Sequence, residues 1–140
     1  NDGEWFPSNF DSPHNLNVVF KYQVNRRHLF SANFTYRKGR PITAPVAAYS
    51  IGTVEVPHFS PRNLFRIPDY HRLDLAYTLN RNAVRNAKFK GSLTFSIYNI
   101  YFRKNAFSIF FKRTPGTPAN AFRLAVLGTA FPAVTYNFEF

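Results

Sequence analysis

The stretch that most constrains this chain is residues 131–140, F-P-A-V-T-Y-N-F-E-F, in which the side chains alternate without a break. Pro132, Val134, Tyr136, Phe138 and Phe140 fall on one face, and Ala133, Thr135, Asn137 and Glu139 on the other. A period of two belongs to a strand whose faces see different surroundings. The run closes on an aromatic side chain with no polar tail. Chain ends are where order and hydrophobicity usually fade, whereas an aromatic residue ending a membrane strand suits the bilayer interface.

The same period recurs upstream. Over 15–24, Leu16, Val18, Phe20, Tyr22 and Val24 oppose Asn15, Asn17, Val19, Lys21 and Gln23. Over 28–37, Phe30, Ala32, Phe34 and Tyr36 oppose Ser31, Asn33, Thr35 and Arg37, and the polar Asn25-Arg26-Arg27 between the two runs predicts a hairpin. Over 71–79, Leu73, Leu75, Tyr77 and Leu79 oppose Arg72, Asp74, Ala76 and Thr78. A fourth strand is expected over 90–102, with Leu93, Phe95 and Ile97 against Ser92, Thr94 and Ser96. Its phase blurs at Tyr98-Asn99, where a bulge fits, and residues 106–111 read as its extension. The fifth strand is expected over 125–140.

Residues 42–69, with Pro45, Pro57, Pro61 and Pro68, show no clear period and read as one long loop, and 114–120 as another. Short polar turns over 25–27 and 80–88 alternate with these long connections, and no helix signal competes. The chain is therefore read as all-β, an antiparallel up-and-down meander whose strand lengths suit a tilted membrane strand.

Composition decides what the apolar faces meet. The chain carries 17 Phe and 8 Tyr, and 18 Lys+Arg against 7 Asp+Glu, a formal charge of +11. Cysteine is absent, which excludes disulfides and thiolate metal sites. No apolar run approaches the roughly 20 residues of a transmembrane helix. Methionine is absent too, and a chain opening on Asn1-Asp2-Gly3-Glu4 is expected to be part of a longer polypeptide.

Every apolar face is bulky, no further element is at hand to cover it, and the opposite faces are small and polar, as in a barrel with a wet lumen. Five strands leave two unpaired edges, so partner strands from outside the chain are expected. The lipid-facing set is Phe20 and Tyr22, Phe34 and Tyr36, Leu73, Leu75 and Tyr77, Leu93, Phe95 and Ile97, and Val134, Tyr136 and Phe138. The lumen-facing charges are Lys21, Arg37, Arg72 and Asp74, the last two spaced to pair.

No constellation of catalytic or metal-binding residues stands out. His14, His28, His58 and His71 lack ligand spacing and read as solvated or loop histidines. No enzyme activity and no cofactor are expected. A basic aromatic sheet also suits a soluble single-strand nucleic-acid binder, but here the rings and the charges occupy different faces, so nucleic acid is not an expected partner.

Several blocks together resemble a known family: G-E-W-F-P at 3–7, F-D-S-P-H-N-L-N at 10–17, Y-R-K-G-R-P at 36–41, R-I-P-D-Y-H-R-L-D-L at 66–75, S-L-T-F-S-I-Y-N-I-Y-F-R-K-N at 92–105, and the closing P-A-V-T-Y-N-F-E-F. They resemble the C-terminal end of a TonB-dependent outer-membrane receptor of the Bacteroidetes type, nearer the group with a carboxypeptidase-regulatory-like domain. The resemblance implies the last five strands of a 22-stranded plugged barrel in the bacterial outer membrane, serving energised nutrient uptake, with the plug domain lying elsewhere in the protein.

It also implies partners: the rest of the receptor chain, the bilayer and its lipopolysaccharide, TonB through the N-terminal part, surface lipoproteins, and the barrel-assembly machinery, which would read Tyr136, Phe138 and Phe140. The loops over 39–69 and 103–120 would be extracellular, placing Arg103, Lys104, Lys112 and Arg113 for lipopolysaccharide or other anion contact. Two further readings stay open: a structural barrel subunit of a larger outer-membrane complex without transport, and the soluble nucleic-acid binder.

Overall fold

The computed structural model describes residues 3–52, 54–80, 90–112 and 119–139, and every regular element among them is a strand. Five strands are long: β1 (Asn15–Gln23), β2 (His28–Arg37), β7 (Tyr70–Asn80), β8 (Lys90–Tyr98) and β11 (Phe131–Glu139). Six are shorter: β3 (Pro41–Ile42), β4 (Pro45–Ile51), β5 (Val54–Phe59), β6 (Phe65–Arg66), β9 (Ala106–Lys112) and β10 (Asn120–Ala125). The described residues fall into two units, one drawn from Leu16–Tyr36, His71–Lys104 and Leu127–Phe140, the other from Asn1–Asn15, Arg37–Tyr70 and Asn105–Val126.

The first unit is a five-stranded sheet in the order β1-β2-β7-β8-β11. Its first turn is set by Asn25, whose Oδ1 accepts from the amides of Arg27 (2.8 Å) and His28 (3.0 Å), a side-chain mimic of a backbone turn. The Val24 amide donates to the His28 carbonyl at 3.0 Å, which keeps the even-numbered residues of β1 and β2 on one side.

β7 and β8 are antiparallel with Leu75, Tyr77 and Leu79 opposite Ile97, Phe95 and Leu93. β8 and β11 are antiparallel with Ile97, Phe95, Leu93 and Gly91 opposite Pro132, Val134, Tyr136 and Phe138. Since directly opposite residues share a face, the three strands lay their apolar sets on one side; the other carries mainly Ser, Thr, Ala and Asn, with Tyr98 opposite Phe131 and the Arg72–Asp74 pair at one end. A slip of one residue would exchange the sets, so the alternation specifies the register.

The second unit replaces the long loop expected over 42–69 with short paired strands. β4 and β5 form an antiparallel hairpin with Gly52 at φ +63° by its turn, and β3 pairs with β6. These strands are too short and too rich in proline to show a period. Gly39 sits where a Cβ would fall 1.7 Å from the Ile67 carbonyl oxygen, so only glycine fits that close approach. The buried apolar residues, Ala44, Ile67 and Ala106, all belong to this unit.

Two further expectations are corrected. β8 stops at Tyr98, because Asn99 adopts a left-handed conformation (φ +54°) and turns the chain; the blurred phase marks a strand end rather than a bulge. Residues 106–111 do not extend β8 but pair with β10, where Phe110 stacks on Phe122 at 5.5 Å. The last strand accordingly begins at Phe131 rather than 125, after a bend with Leu127 at φ +51°.

Candidate functional site

The sheet's apolar face is its most distinctive surface. Phe20, Tyr22, Leu75, Phe95, Ile97, Val134, Tyr136 and Phe138 are exposed, Phe138 at 64% and Phe95 at 47%, while Phe34, Tyr36, Leu73, Tyr77 and Leu93 are half-buried. These side chains do not converge on a dry interior. Counting along β1, β2, β7, β8 and β11, the described positions of this face hold aliphatic and aromatic residues, Gly91, Pro132, His28 and His71, and no Lys, Arg, Asp or Glu. An apolar surface this large is itself a sign of a non-aqueous neighbour or a partner.

Two histidines that read as solvated or loop residues stand in strands on this face, each against a tyrosine hydroxyl. His28 Nδ1 lies 2.6 Å from Tyr77 Oη, and the two rings stack beside Phe30, whose centroid is 4.9 Å from that of Tyr77. His71 Nδ1 lies 2.9 Å from Tyr101 Oη, with Phe34 6.5 Å from the imidazole. Burial raises the Tyr101 phenol above its ordinary value, with Arg103 acting the other way, Asp74 adding to the rise and Arg72 opposing it. Such amphipathic pairs offer one apolar and one polar side to a boundary between lipid and water.

The opposite face carries short polar ladders. Thr78, Thr94 and Thr135 stand in one row, with 2.9 Å between the first two hydroxyls, and Asn80, Ser92 and Asn137 in the next. At the β7–β8 end of this face the Arg72–Asp74 pair forms: Nε and Nη2 of Arg72 both lie 2.9 Å from Asp74 Oδ2. Arg72 also donates to Tyr98 Oη at 2.6 Å, with its guanidinium 4.0 Å over the Tyr98 ring. Stacking and fork-like donation together are what distinguish arginine from lysine here.

Asp74 Oδ1 accepts from the Asn99 amide at 2.9 Å. Asn99, 1% exposed, then donates through Nδ2 to the carbonyls of Arg103 (3.0 Å), Thr129 (3.4 Å) and Leu127 (3.5 Å). Sequence reasoning missed Tyr98 and Asn99; the loss of alternation at that dipeptide was their only trace.

The remaining charges are placed differently. Lys21 is exposed on β1 and Arg37 ends β2. Arg103 and Lys104 are consecutive in the turn after β8, the Arg103 backbone being held by Asn99, while Lys112 ends β9 in the other unit. Arg113 and Phe140, candidates for anion contact and for the assembly signal, lie outside the described residues, as does most of the turn over 80–88. In the loop unit Lys38 pairs with Asp69 at 3.2 Å, Arg66 pairs with Asp11, and Arg62 covers the Phe6 ring at 4.3 Å, so these three basic groups are tied to their own chain.

No family model, no curated protein and no solved structure matches this chain.

Proposed function

We propose that the chain forms part of the wall of an outer-membrane β-barrel, supplying the last five strands of a 22-stranded plugged TonB-dependent receptor for energised nutrient uptake. The observation that carries this reading is the sheet's apolar face, exposed yet free of Lys, Arg, Asp and Glu at its described positions. A lipid-facing band needs that composition, because a charge there costs about 2–4 kcal/mol at the bilayer midplane. A single-strand nucleic-acid platform needs the reverse, cations beside its exposed rings. The polar ladders suit a wetted lumen, and the edge strands β1 and β11 suit pairing with the rest of a barrel.

The absence of cysteine makes the test direct. Single cysteines at 92–97 and 133–136, spin-labelled in the full-length protein in outer membranes, should give oxygen accessibility that is high at 93, 95, 97, 134 and 136. It should be low at the positions between. Loss of that period, or a full-length protein that stays in solution without detergent, would falsify the barrel reading. Cross-linking of the full-length protein to TonB in cells then separates a transporter, which should give the adduct, from a structural barrel, which should not.

A further inference from the structure

Where β1 passes into β2, the five-stranded sheet ends in a short turn carrying two adjacent cations. Arg26 and Arg27 are exposed, and neither guanidinium has an ion-pair or hydrogen-bond partner among the described residues. The backbone beneath them is braced all the same. Asn25 Oδ1 takes the amides of Arg27 and His28, and the Arg27 carbonyl accepts from the Asn80 amide of β7 at 2.7 Å. Two guanidinia on a fixed turn have less freedom to lose on binding than the same pair on a loose loop.

The rings just inside this turn carry their polar tips toward it. Tyr77 packs on Phe30, yet its hydroxyl reaches His28, two residues nearer the turn, at 2.6 Å. Tyr136 is opposite Leu93, yet its hydroxyl lies against Gly91, the next apolar-face position toward the same end; a Cβ on Gly91 would stand 3.0 Å from it. With Nδ1 of His28 engaged by the Tyr77 hydroxyl, Nε2 is the ring nitrogen left for a ligand.

We propose that this end of the sheet binds the headgroup of an anionic glycerophospholipid, with Arg26 and Arg27 on the phosphate oxygens and His28 and the tyrosine hydroxyls at the ester level below. The proposal rests on the lipid-facing assignment of the sheet and deepens it by naming a lipid class. Guanidinium forks match phosphate oxygens. Two unmatched positive charges favour an anionic headgroup over a zwitterionic one, whose ammonium would be set beside them. A peptide carboxylate or a free phosphate would use the arginines but leave the leaning rings without a role. A phospholipid uses both, because the exposed Tyr22 and Phe30 begin an apolar face for its acyl chain close to the turn. In a barrel the short turns lie on the periplasmic side, where the leaflet is made of glycerophospholipid rather than lipopolysaccharide.

The experiment is native mass spectrometry of the detergent-purified full-length protein, titrated in parallel with phosphatidylglycerol and phosphatidylcholine of the same acyl chains. Phosphatidylglycerol should bind more tightly. Arg26→Gln and Arg27→Gln should each weaken it about fivefold and leave phosphatidylcholine unchanged, which also shows that the fold is intact. Equal affinity for the two lipids overturns the proposal, and so does a preference that survives the double variant. Displacement of phosphatidylglycerol by an equal concentration of inorganic phosphate overturns it too, since the site would then hold an anion without its chain. The spin-label period along β8 and β11 separates this inference from the reading beneath it. If the period holds and the lipid preference is absent, the inference fails and the barrel stands; loss of the period removes both.

Discussion

Asn99 and Arg103 are joined twice: Asn99 Nδ2 donates to the Arg103 carbonyl at 3.0 Å, and Asn99 Oδ1 accepts from the Arg103 amide at 3.1 Å. One side chain thereby closes the turn after β8. Its remaining reach, to the carbonyls of Leu127 and Thr129, shapes the approach to β11. Because it serves donors and acceptors alike, neither a carboxylate nor a methyl group can stand in. Asn99→Ala should cost about 2–4 kcal/mol, from stranded buried polar groups and from a left-handed conformation that asparagine accepts more readily than alanine. Asn99→Asp should be at least as damaging, since it sets a carboxylate against three carbonyls. The thermal unfolding midpoint of the protein measures both. An Asn99→Asp protein as stable as the unsubstituted one would show that the donor is dispensable.

Arg72→Lys should also destabilise, although the charge is kept. Lysine cannot hold Asp74 through two nitrogens, stack on Tyr98 and reach its hydroxyl at the same time. A loss of about 1–3 kcal/mol is expected for a half-buried pair of this kind. Asp74→Asn should be worse than Arg72→Lys, because it leaves the guanidinium without its anion while still accepting from Asn99. The order of the two melting shifts is the measurement, and the reverse order would count against the Arg72–Asp74 ion pair as the main stabilising contact of the cluster.

Gly39→Ala tests the loop unit. The added methyl would fall on the Ile67 carbonyl, and backbone cannot yield as a side-chain tip can. The Gly39 amide also donates to Asp69 Oδ1 at 2.9 Å, so a shift of the chain would weaken that bond and the neighbouring Lys38–Asp69 pair. Overpacking of this kind costs about 1–3 kcal/mol. Limited proteolysis of the full-length protein should therefore cut within 40–69 faster in the variant, while the sheet strands keep their protection.

What was legible in the sequence follows from these same contacts. The long strands were readable because each has one apolar and one polar face, so a period of two survives from Leu73 to Leu79 and from Pro132 to Phe138. The Arg72–Asp74 pair was readable because residues two apart in a strand share a face. β4 and β5 were not, because a strand such as P-V-A-A-Y-S-I has no polar face to alternate with. Its one local sign was Gly52. Asn99 was hidden for another reason: its partners lie at 103, 127 and 129, and no local pattern reports bonds that depend on the chain returning from so far away. His28 and His71 were legible as strand positions but not as hydrogen-bonded ones, because Tyr77 and Tyr101 lie 49 and 30 residues away in the sequence.

A matched pair of substitutions on neighbouring residues of β8 examines the sheet's two faces under one backbone. Phe95 is opposite Tyr77 and Val134 on the apolar side, and Thr94 is opposite Thr78 and Thr135 on the polar side. On the barrel reading, Phe95→Arg would carry a guanidinium into the proposed lipid-facing band, at about 2–4 kcal/mol for a site near the midplane. Thr94→Arg would place the same group among hydroxyls, where water or a plug can solvate it, at much smaller cost. Amounts of heat-modifiable full-length protein in isolated outer membranes should drop sharply for Phe95→Arg and little for Thr94→Arg. Were the apolar face covered by protein in an aqueous setting, Phe95→Arg would act by breaking a packed interface. Phe95→Ala would then be nearly as harmful, whereas in lipid the small apolar residue should be tolerated. Comparable damage from alanine and arginine at position 95 would therefore remove the bilayer as the neighbour of this face.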